Sequence, residues 1–323
     1  MNRNAFTVLA SAVAALMLTA GAALAQGVWK PDRPVTLVVP YAAGGGTDAT
    51  ARAVSKQLNV LWGQPVVVEN FPGADGLIGT RRVTDAKPDG YTLLLQVPAI
   101  VVSKYTPGLK GNDPLAQLEP VTAVSQSPSA VVVSGKLPVT TMAELVHYCK
   151  TSAEPCSLAS GESLARILAK QLSAEAGLPN LIAVNYRGAG AMVTDMIANN
   201  VNIAFTGITA VLPYHKAGKL RIIATTGDKR AAILPDVPTT TEAGFPRFQA
   251  VTWYGIFAPK GTPQAVTQGI VTALREAVKD ASVQSIVAAA GAEPVVNSPA
   301  AFAAQVRYES ERLGALVKLY PIE

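Results

Sequence analysis

Cysteine and histidine are scarce in this chain of 323 residues, which contains two of each. The cysteines, Cys149 and Cys156, lie seven positions apart around a proline, and the histidines are His147 and His215. Zinc sites use four Cys and His ligands at characteristic spacings, so we expect no metal site. In an oxidising compartment two neighbouring cysteines form a local disulfide by default, and we predict one between Cys149 and Cys156.

The usual arrangements of a catalytic nucleophile and its base are also missing. The chain contains no G-x-S-x-G, S-x-x-K or H-E-x-x-H pattern. Both histidines fall in predicted helical or loop segments away from the glycine-rich loops, so a serine or cysteine nucleophile finds no base there. The sequence therefore favours binding a ligand, without a cofactor, over transforming one.

Long apolar runs are absent except at the start of the chain. After Arg3, an apolar segment from Ala5 to Leu18 precedes Ala23-Leu24-Ala25, which is typical of an export signal and its cleavage site. The segment is too short to read comfortably as a membrane span, and no later stretch has the ~20 apolar residues that a transmembrane helix needs. No cysteine follows that would carry a lipid anchor. We expect residues 1–25 to be removed and a soluble periplasmic chain to begin near Gln26.

Charge of either sign is sparse. Charged residues make up 15% of the chain against 49% hydrophobic residues, and the net charge is +5 with no acidic or basic tail. A scattered excess of this size helps to attract anions but does not predict nucleic-acid binding. The 298 residues after position 25 suffice for two domains of ~150 residues each.

Short apolar runs alternate with helical patterns, which predicts an α/β fold with a mostly parallel sheet flanked by helices. The predicted strands are Val35–Val39, Val66–Glu69, Tyr91–Leu95, Ser157–Ser160, Leu181–Val184, Val201–Thr206, Leu220–Thr225 and Trp253–Phe257. The first predicted helix begins after Asp48. The other predicted helices cover Ile78–Asp85, Leu164–Glu175, Gly190–Asn199, Pro263–Asp280 and Pro299–Val317. Ligands bind such sheets at the carboxyl ends of the strands, where the glycine-rich loops of this chain fall.

One segment occurs in both halves of the chain. Ala51-Arg52-x-x-x-Lys56-Gln57-Leu58, with Gly63 and Pro65, returns as Ala165-Arg166-x-x-x-Lys170-Gln171-Leu172, with Gly177 and Pro179. The stretch Asn70–Ala74 is likewise similar in sequence to Asn185–Ala189. Chance is the alternative, but this self-similarity predicts two related lobes facing each other across a cleft. Lobe 1 comprises residues 26–127 and 251–323, and lobe 2 residues 128–250, with crossovers near Ser125–Pro128 and Gly244–Val251.

The loop after the first strand is the leading candidate site. It contains Tyr41, Ala42, Gly44, Gly45, Gly46, Thr47 and Asp48. Its glycines satisfy the dinucleotide pattern G-x-G-x-x-[GA], with Glu69 where a ribose-binding acid would lie. Free backbone N–H groups at a helix N-terminus bind carboxylates as well as phosphates, and because of the export signal we prefer a carboxylate. Asp48 either caps the helix or binds a cationic or hydroxyl group of the ligand.

The second half offers matching candidates. Ser160 and Ser163 cap a helix or hold one end of an anion, and Arg187 either pairs with a carboxylate or is a solvated surface charge. Asp195 is an exposed helix carboxylate or a structural brace for the loop. The remaining candidates for ligand contact are Ala74, Gly161, Gly188, Ala189, Gly190 and Thr206.

Several motifs of the chain are characteristic: the segment from Arg33 to Asp48, Gly63–Asn70, Pro88–Leu94, Lys229-Arg230 with Leu234–Thr239, Glu242-Ala243-Gly244 and Trp253-Tyr254-Gly255. These motifs resemble those of the substrate-binding proteins of tripartite tricarboxylate transporters, the Bug family. They span essentially the whole mature chain. Two departures are Glu162, a negative charge near the second candidate loop, and Arg187, where lysine is common.

This resemblance implies a type II periplasmic binding protein, with two α/β lobes hinged around a central ligand cleft. It implies that Tyr41–Asp48 and Arg187–Ala191 hold a ligand carboxylate, partly through water. The expected protein is a monomer that captures a small organic carboxylate and delivers it to membrane permease subunits. The alternatives are a secreted dinucleotide-dependent enzyme that uses the Gly44–Gly46 loop, and a ligand-binding sensor subunit of a signalling system.

Overall fold

The computed structural model describes residues 28–44, 46–105, 113–160, 163–186, 189–227, 229–249, 251–289 and 292–319. The strands are β1 (Val35–Val39), β2 (Val66–Asn70), β3 (Thr92–Gln96), β4 (Leu118–Ser134), β5 (Ser157–Ser160), β6 (Ile182–Asn185), β7 (Ile203–Gly207), β8 (Leu220–Thr225), β9 (Val251–Pro259) and β10 (Glu293–Pro294). The helices are α1 (Gly46–Trp62), α2 (Leu77–Thr84), α3 (Ala99–Val102), α4 (Met142–Thr151), α5 (Ser163–Ala176), α6 (Ala189–Ala198), α7 (Ile208–Lys216), α8 (Gln264–Ala277), α9 (Ala281–Ala289) and α10 (Pro299–Leu319).

The repeated segment corresponds to a repeated structural unit. β1 pairs in parallel with β2 and β3, and β5 pairs in parallel with β6 and β7. The helices α1 and α5 each follow the central strand and bury the equivalent residues Leu58 and Leu172. Each helix is followed by a glycine with a left-handed backbone, Gly63 (φ 68°) and Gly177 (φ 63°), which favours glycine at both positions. The prediction of structural repetition is confirmed.

The long strand β4 links the two units. It pairs antiparallel with β9 from Leu118 to Pro128, and with β7 and β8 from Ser129 onwards. The crossover predicted near Ser125–Pro128 is therefore continuous strand and not a loop. Proline lacks the N–H needed for a ladder bond, and Pro128 lies where β4 changes partners, so the missing donor disturbs the sheet little.

The sheet is mixed, because β9 also pairs antiparallel with β3. It curls with the strand order β2-β1-β3-β9-β4-β7-β5-β6, and helices flank it. The antiparallel pairs of β4 and β9 were not predicted from the alternating pattern. The division into lobe 1 and lobe 2 stays a prediction.

Separate apolar clusters stabilise the two units. One surrounds β1, β3 and α1, and a second surrounds β5, β7 and α5. A third cluster contains packed aromatic rings, in which Trp253 lies 5.3 Å from Phe302, centroid to centroid, in an edge-to-face arrangement. No helix in the described ranges is long and apolar enough to span a membrane.

Cys149 and Cys156 form a disulfide between the end of α4 and the start of β5. We expect the double variant Cys149→Ser/Cys156→Ser to unfold with a free energy about 2–3 kcal/mol lower, because the bond restricts the unfolded chain only over a short loop. Urea denaturation of the variant and the parent protein measures this difference. A midpoint equal to that of the parent would contradict it.

Candidate functional site

The loops that follow the parallel strands of the first unit meet at one edge of the sheet. β1 leads into Pro40–Gly44 and then α1, and β2 leads into Phe71–Gly76 and then α2. Gly44 has a φ of 88°, a left-handed conformation that favours glycine. Ala42 and Gly44 are exposed, Thr47 is half-buried in the first turn of α1, and Gly45 lies outside the described residues. The predicted loop is thus at the carboxyl edge, directly before a helix of 17 residues.

The buried carboxylate of Asp48 braces this loop through hydrogen bonds. The residue is 4% exposed, and its Oδ2 accepts hydrogen bonds from the Gly44 backbone N–H and from Arg52 Nε, each at 3.0 Å. Its Oδ1 accepts a bond from Asn70 Nδ2, also at 3.0 Å. Asp48 lies inside the first turn of α1, so it is not the residue that precedes the helix, and its carboxylate is directed at the protein's own donors.

Electrostatics keep this carboxylate ionised. The hydrogen bond from Arg52 lowers the pKa of Asp48 most, the backbone bond from Gly44 and the bond from Asn70 lower it further, and burial opposes them. Arg52 is bound in turn by Asp48 and by Asn70 Oδ1 at 3.1 Å. The positive charge of Arg52 is thus neutralised by a carboxylate of the protein itself.

A buried glutamine ties two loops and a helix together. Gln96, the last residue of β3, is 0% exposed. Its Oε1 accepts bonds from the Tyr41 hydroxyl and from the Val97 backbone N–H, both at 2.8 Å, and its Nε2 donates to Thr80 Oγ1 at 3.1 Å. Tyr41 follows β1, Thr80 belongs to α2 and Val97 follows β3, so this amide fixes the relative positions of the loops at the carboxyl edge.

The loop after β2 has an unusual backbone. Ala74 has a φ of 47°, which is uncommon for a residue other than glycine, and Gly76 has a φ of 87° at the start of α2. In α2, a side chain at Gly79 would lie 2.8 Å from the Pro40 Cα, so the helix packs directly on the chain leaving β1. The exposed Ala74 is therefore placed near the loop after β1.

In the second unit, Asp195 accepts hydrogen bonds from residues on both sides of α6. Its Oδ2 accepts a bond from the Tyr186 hydroxyl at 2.7 Å, and its Oδ1 accepts one from Asn200 Nδ2 at 3.2 Å. Burial first, and then the bond to Asp195, raise the pKa of Tyr186 to about 12, so the phenol keeps its proton and donates. The bond to Asp195 anchors the end of β6 to α6.

The other candidates of the second unit are only partly described. Ser160 ends β5, Ser163 begins α5, Ala189 and Gly190 begin α6, and Thr206 lies in β7 opposite Ala130. Gly161, Arg187 and Gly188 lie outside the described residues. The carboxyl ends of β5, β6 and β7 form one edge, as in the first unit.

Neither histidine lies in these loops. His215 is in α7, where its Nδ1 accepts a bond from the Ile222 backbone N–H at 3.3 Å, and burial lowers its pKa. His147 lies in α4. In the part of the chain that the structure describes, no three His, Cys, Asp or Glu side chains form a group able to hold a metal ion.

The sequence did not reveal three residues that shape the first loop. Arg52 and Gln96 were not assigned roles, and neither was Tyr254, whose hydroxyl lies 2.7 Å from the position of a Cβ built on Gly46. For Gln96 a signal exists, because a single amide follows the apolar run Leu93-Leu94-Leu95. The Tyr254 contact joins residues far apart in the chain and leaves no local pattern.

Comparison with known proteins identifies close similarities over most of the chain. A family model described as "Tripartite tricarboxylate transporter family receptor" matches residues 50–321. The chain is 32% identical to BugT of Bordetella pertussis over 318 residues, which cover 97% of each protein.

Two solved structures from Rhodopseudomonas palustris share the fold. MatC with bound malate is 28% identical, with a TM-score of 0.73 and coverage of 89% of this chain and 99% of that one. Rpa4515 with adipate is 29% identical, with a TM-score of 0.76 and coverage of 89% and 97%. The predicted α/β fold class, that of periplasmic binding proteins, is confirmed by these similarities.

Proposed function

Because the chain belongs to the tripartite tricarboxylate transporter family of receptors, which bind solutes and are not enzymes, we propose that it captures a small organic carboxylate in the periplasm. Family membership confirms the prediction that the protein is not an enzyme. It also removes the ground for the dinucleotide-dependent alternative, because that alternative required an enzyme.

The braced loop at the start of α1 is the observation that carries this proposal. Asp48 and Asn70 hold Tyr41–Gly44 in place, and Arg52 is already engaged by these two residues. An anion at this edge would be held by backbone N–H groups and by the positive end of the helix dipole, and not by the Arg52 side chain. A carboxylate suits such a site, and malate and adipate in the solved relatives support this class of solute.

The matching edge of the second unit supplies the opposite side of the proposed site. Tyr186, Ser163 and Gly190 flank the loops there, and Arg187 would pair with a carboxylate of the solute. In this proposal the division into lobe 1 and lobe 2 holds, the lobes close on the solute, and the closed form delivers it to permease subunits.

A thermal-shift screen tests the proposed function. We expect one or more di- or tricarboxylates, tested from malate to adipate and citrate, to raise Tm, because a ligand at 100 times its Kd stabilises the native state by about 2.7 kcal/mol. Sodium sulfate and the corresponding diamides serve as controls for ionic strength and for the carboxylate charge. Stabilisation by NAD, and by none of the carboxylates, would contradict the proposal.

A further inference from the structure

Tyr254 lies at the same edge as the candidate loop, although it comes from a distant part of the chain. In the antiparallel pair of β3 and β9, Gln96 is opposite Gly255. Because the pair is antiparallel, Tyr254, the residue before Gly255 in β9, lies just beyond the carboxyl end of β3. On its other side it is opposite Ser125 of β4.

The hydroxyl of Tyr254 lies against the first residue of α1. A Cβ built on Gly46 would be 2.7 Å from the Tyr254 hydroxyl oxygen and 3.7 Å from the ring carbon that carries it. The first distance is shorter than any side-chain contact allows, whereas the second is ordinary van der Waals contact. The absence of a side chain at position 46 therefore leaves room for the Tyr254 hydroxyl oxygen.

Neighbouring contacts fix this position. Trp253 is 0% exposed, and its indole Nε1 donates to Glu309 Oε2 at 2.9 Å. Because successive side chains of a strand point to opposite faces, burial of Trp253 on one face directs Tyr254 to the other, where its half-buried ring packs on the cluster around β1 and α1. The hydroxyl is thus held in place before any solute arrives.

We propose that the Tyr254 hydroxyl contacts the solute and helps to determine specificity, by donating a hydrogen bond to the carboxylate held at the start of α1. This inference rests on the proposed function. A phenol is a neutral donor, so it strengthens the binding of a carboxylate without adding a charge. An amide oxygen in the same place is uncharged and accepts a weaker hydrogen bond from that donor. The hydroxyl therefore favours a carboxylate over its uncharged amide analogue.

Two variants and their combination test this role. Tyr254→Phe is expected to weaken binding of the best carboxylate from the thermal-shift screen roughly 10- to 100-fold, the usual effect of losing a hydrogen bond to a charged group. It is also expected to reduce the ratio of affinities between that carboxylate and its amide. Tyr91→Phe is the matched control, because the Tyr91 hydroxyl bonds to Asp32 near the opposite end of β3. Isothermal titration calorimetry measures each affinity.

Gly46→Ala tests whether the Tyr254 hydroxyl occupies the space beside the first residue of α1. In the parent protein the new methyl group collides with the Tyr254 hydroxyl, so binding weakens. In Tyr254→Phe the nearest ring carbon is 3.7 Å away, so adding Gly46→Ala is expected to change the affinity less than twofold. Urea unfolding of each unliganded variant separates losses of stability from losses of affinity.

The possible outcomes separate the two proposals. Equal affinity of Tyr254→Phe and the parent protein would overturn the role of the hydroxyl and leave the proposed function intact. Equal weakening by Gly46→Ala in both backgrounds, or an unchanged ratio of carboxylate to amide affinity in Tyr254→Phe, would also overturn it. Failure of the parent protein to bind any carboxylate would overturn the proposed function itself.

Discussion

Asp48→Ala is expected to weaken carboxylate binding roughly 100-fold, and to lower the free energy of unfolding by about 2 kcal/mol, the usual value of a hydrogen bond to a charged group. The side chain is buried and holds the Gly44 N–H, Arg52 and Asn70 at once. Without it, the loop before α1 must be ordered by the solute, and ordering two residues costs about 3 kcal/mol. Calorimetric titration gives the affinity and urea denaturation gives the stability.

Two further variants sharpen this test. Asp48→Asn keeps the shape but removes the charge that binds Arg52, so its losses should be intermediate. Asp85→Ala removes an exposed carboxylate that makes only a 3.7 Å ion pair with Arg81 on α2, so binding and stability should not change. An effect of Asp85→Ala as large as that of Asp48→Ala would show that the result does not depend on the brace.

The lowered pKa of Asp48 gives this brace a defined dependence on pH. A carboxylate whose pKa is lower in the folded state stabilises the protein above its unfolded pKa, and the stabilisation is lost as the pH falls through the folded value. The difference in unfolding free energy between the parent protein and Asp48→Asn should therefore be constant near neutral pH. It should shrink below about pH 4, near the ordinary pKa of an aspartate.

Gly46→Arg is expected to abolish solute-induced stabilisation while the protein stays folded. The first carbon of the new side chain already meets the Tyr254 hydroxyl at 2.7 Å, and the rest extends over the exposed start of α1. A cation there would also oppose the positive end of the helix dipole. Thermal-shift assays with and without the carboxylate measure the loss, and circular dichroism checks the fold.

The matched control introduces the same side chain at the other end of the same helix. Val60 is 75% exposed in the last turns of α1, so Val60→Arg should bind as the parent protein does. If Gly46→Arg kept the parent affinity, the first loop would not be the site, and the proposed role of its backbone N–H groups would be wrong.

Local patterns predicted the parallel units well. Val35–Val39 is a β-branched run between two prolines, and the strand has these bounds in the structure. The same reasoning failed for β4, which contains Pro120 and Pro128, because a proline argues against a central strand. The structure accommodates both prolines, since the pairing with β9 shifts register after Pro120 and the partners change after Pro128.

The candidate loop was also located by local patterns, whereas the groups that fix its shape were not. A glycine-rich stretch between a strand and a helix is visible in the sequence. The contact of Gly46 with Tyr254, and the bonds of Gln96 to Tyr41 and Thr80, depend on how distant segments pack. Asp48 was assigned either to the ligand or to a cap. Its bond to Arg52 is an i,i+4 pair within α1, but its bond to Asn70 required the position of β2 to be known.

Strand β4 also determines how far the two copies of the repeat can be treated as modules. A fragment ending before Leu118 would lose both β4 and β9, and one beginning after Ser134 would keep β7, β8 and β9 without the strand β4 that pairs with each of them. Each half has its own parallel unit, but both halves depend on a single shared stretch of backbone. We therefore expect neither half to fold as an independent domain when it is excised.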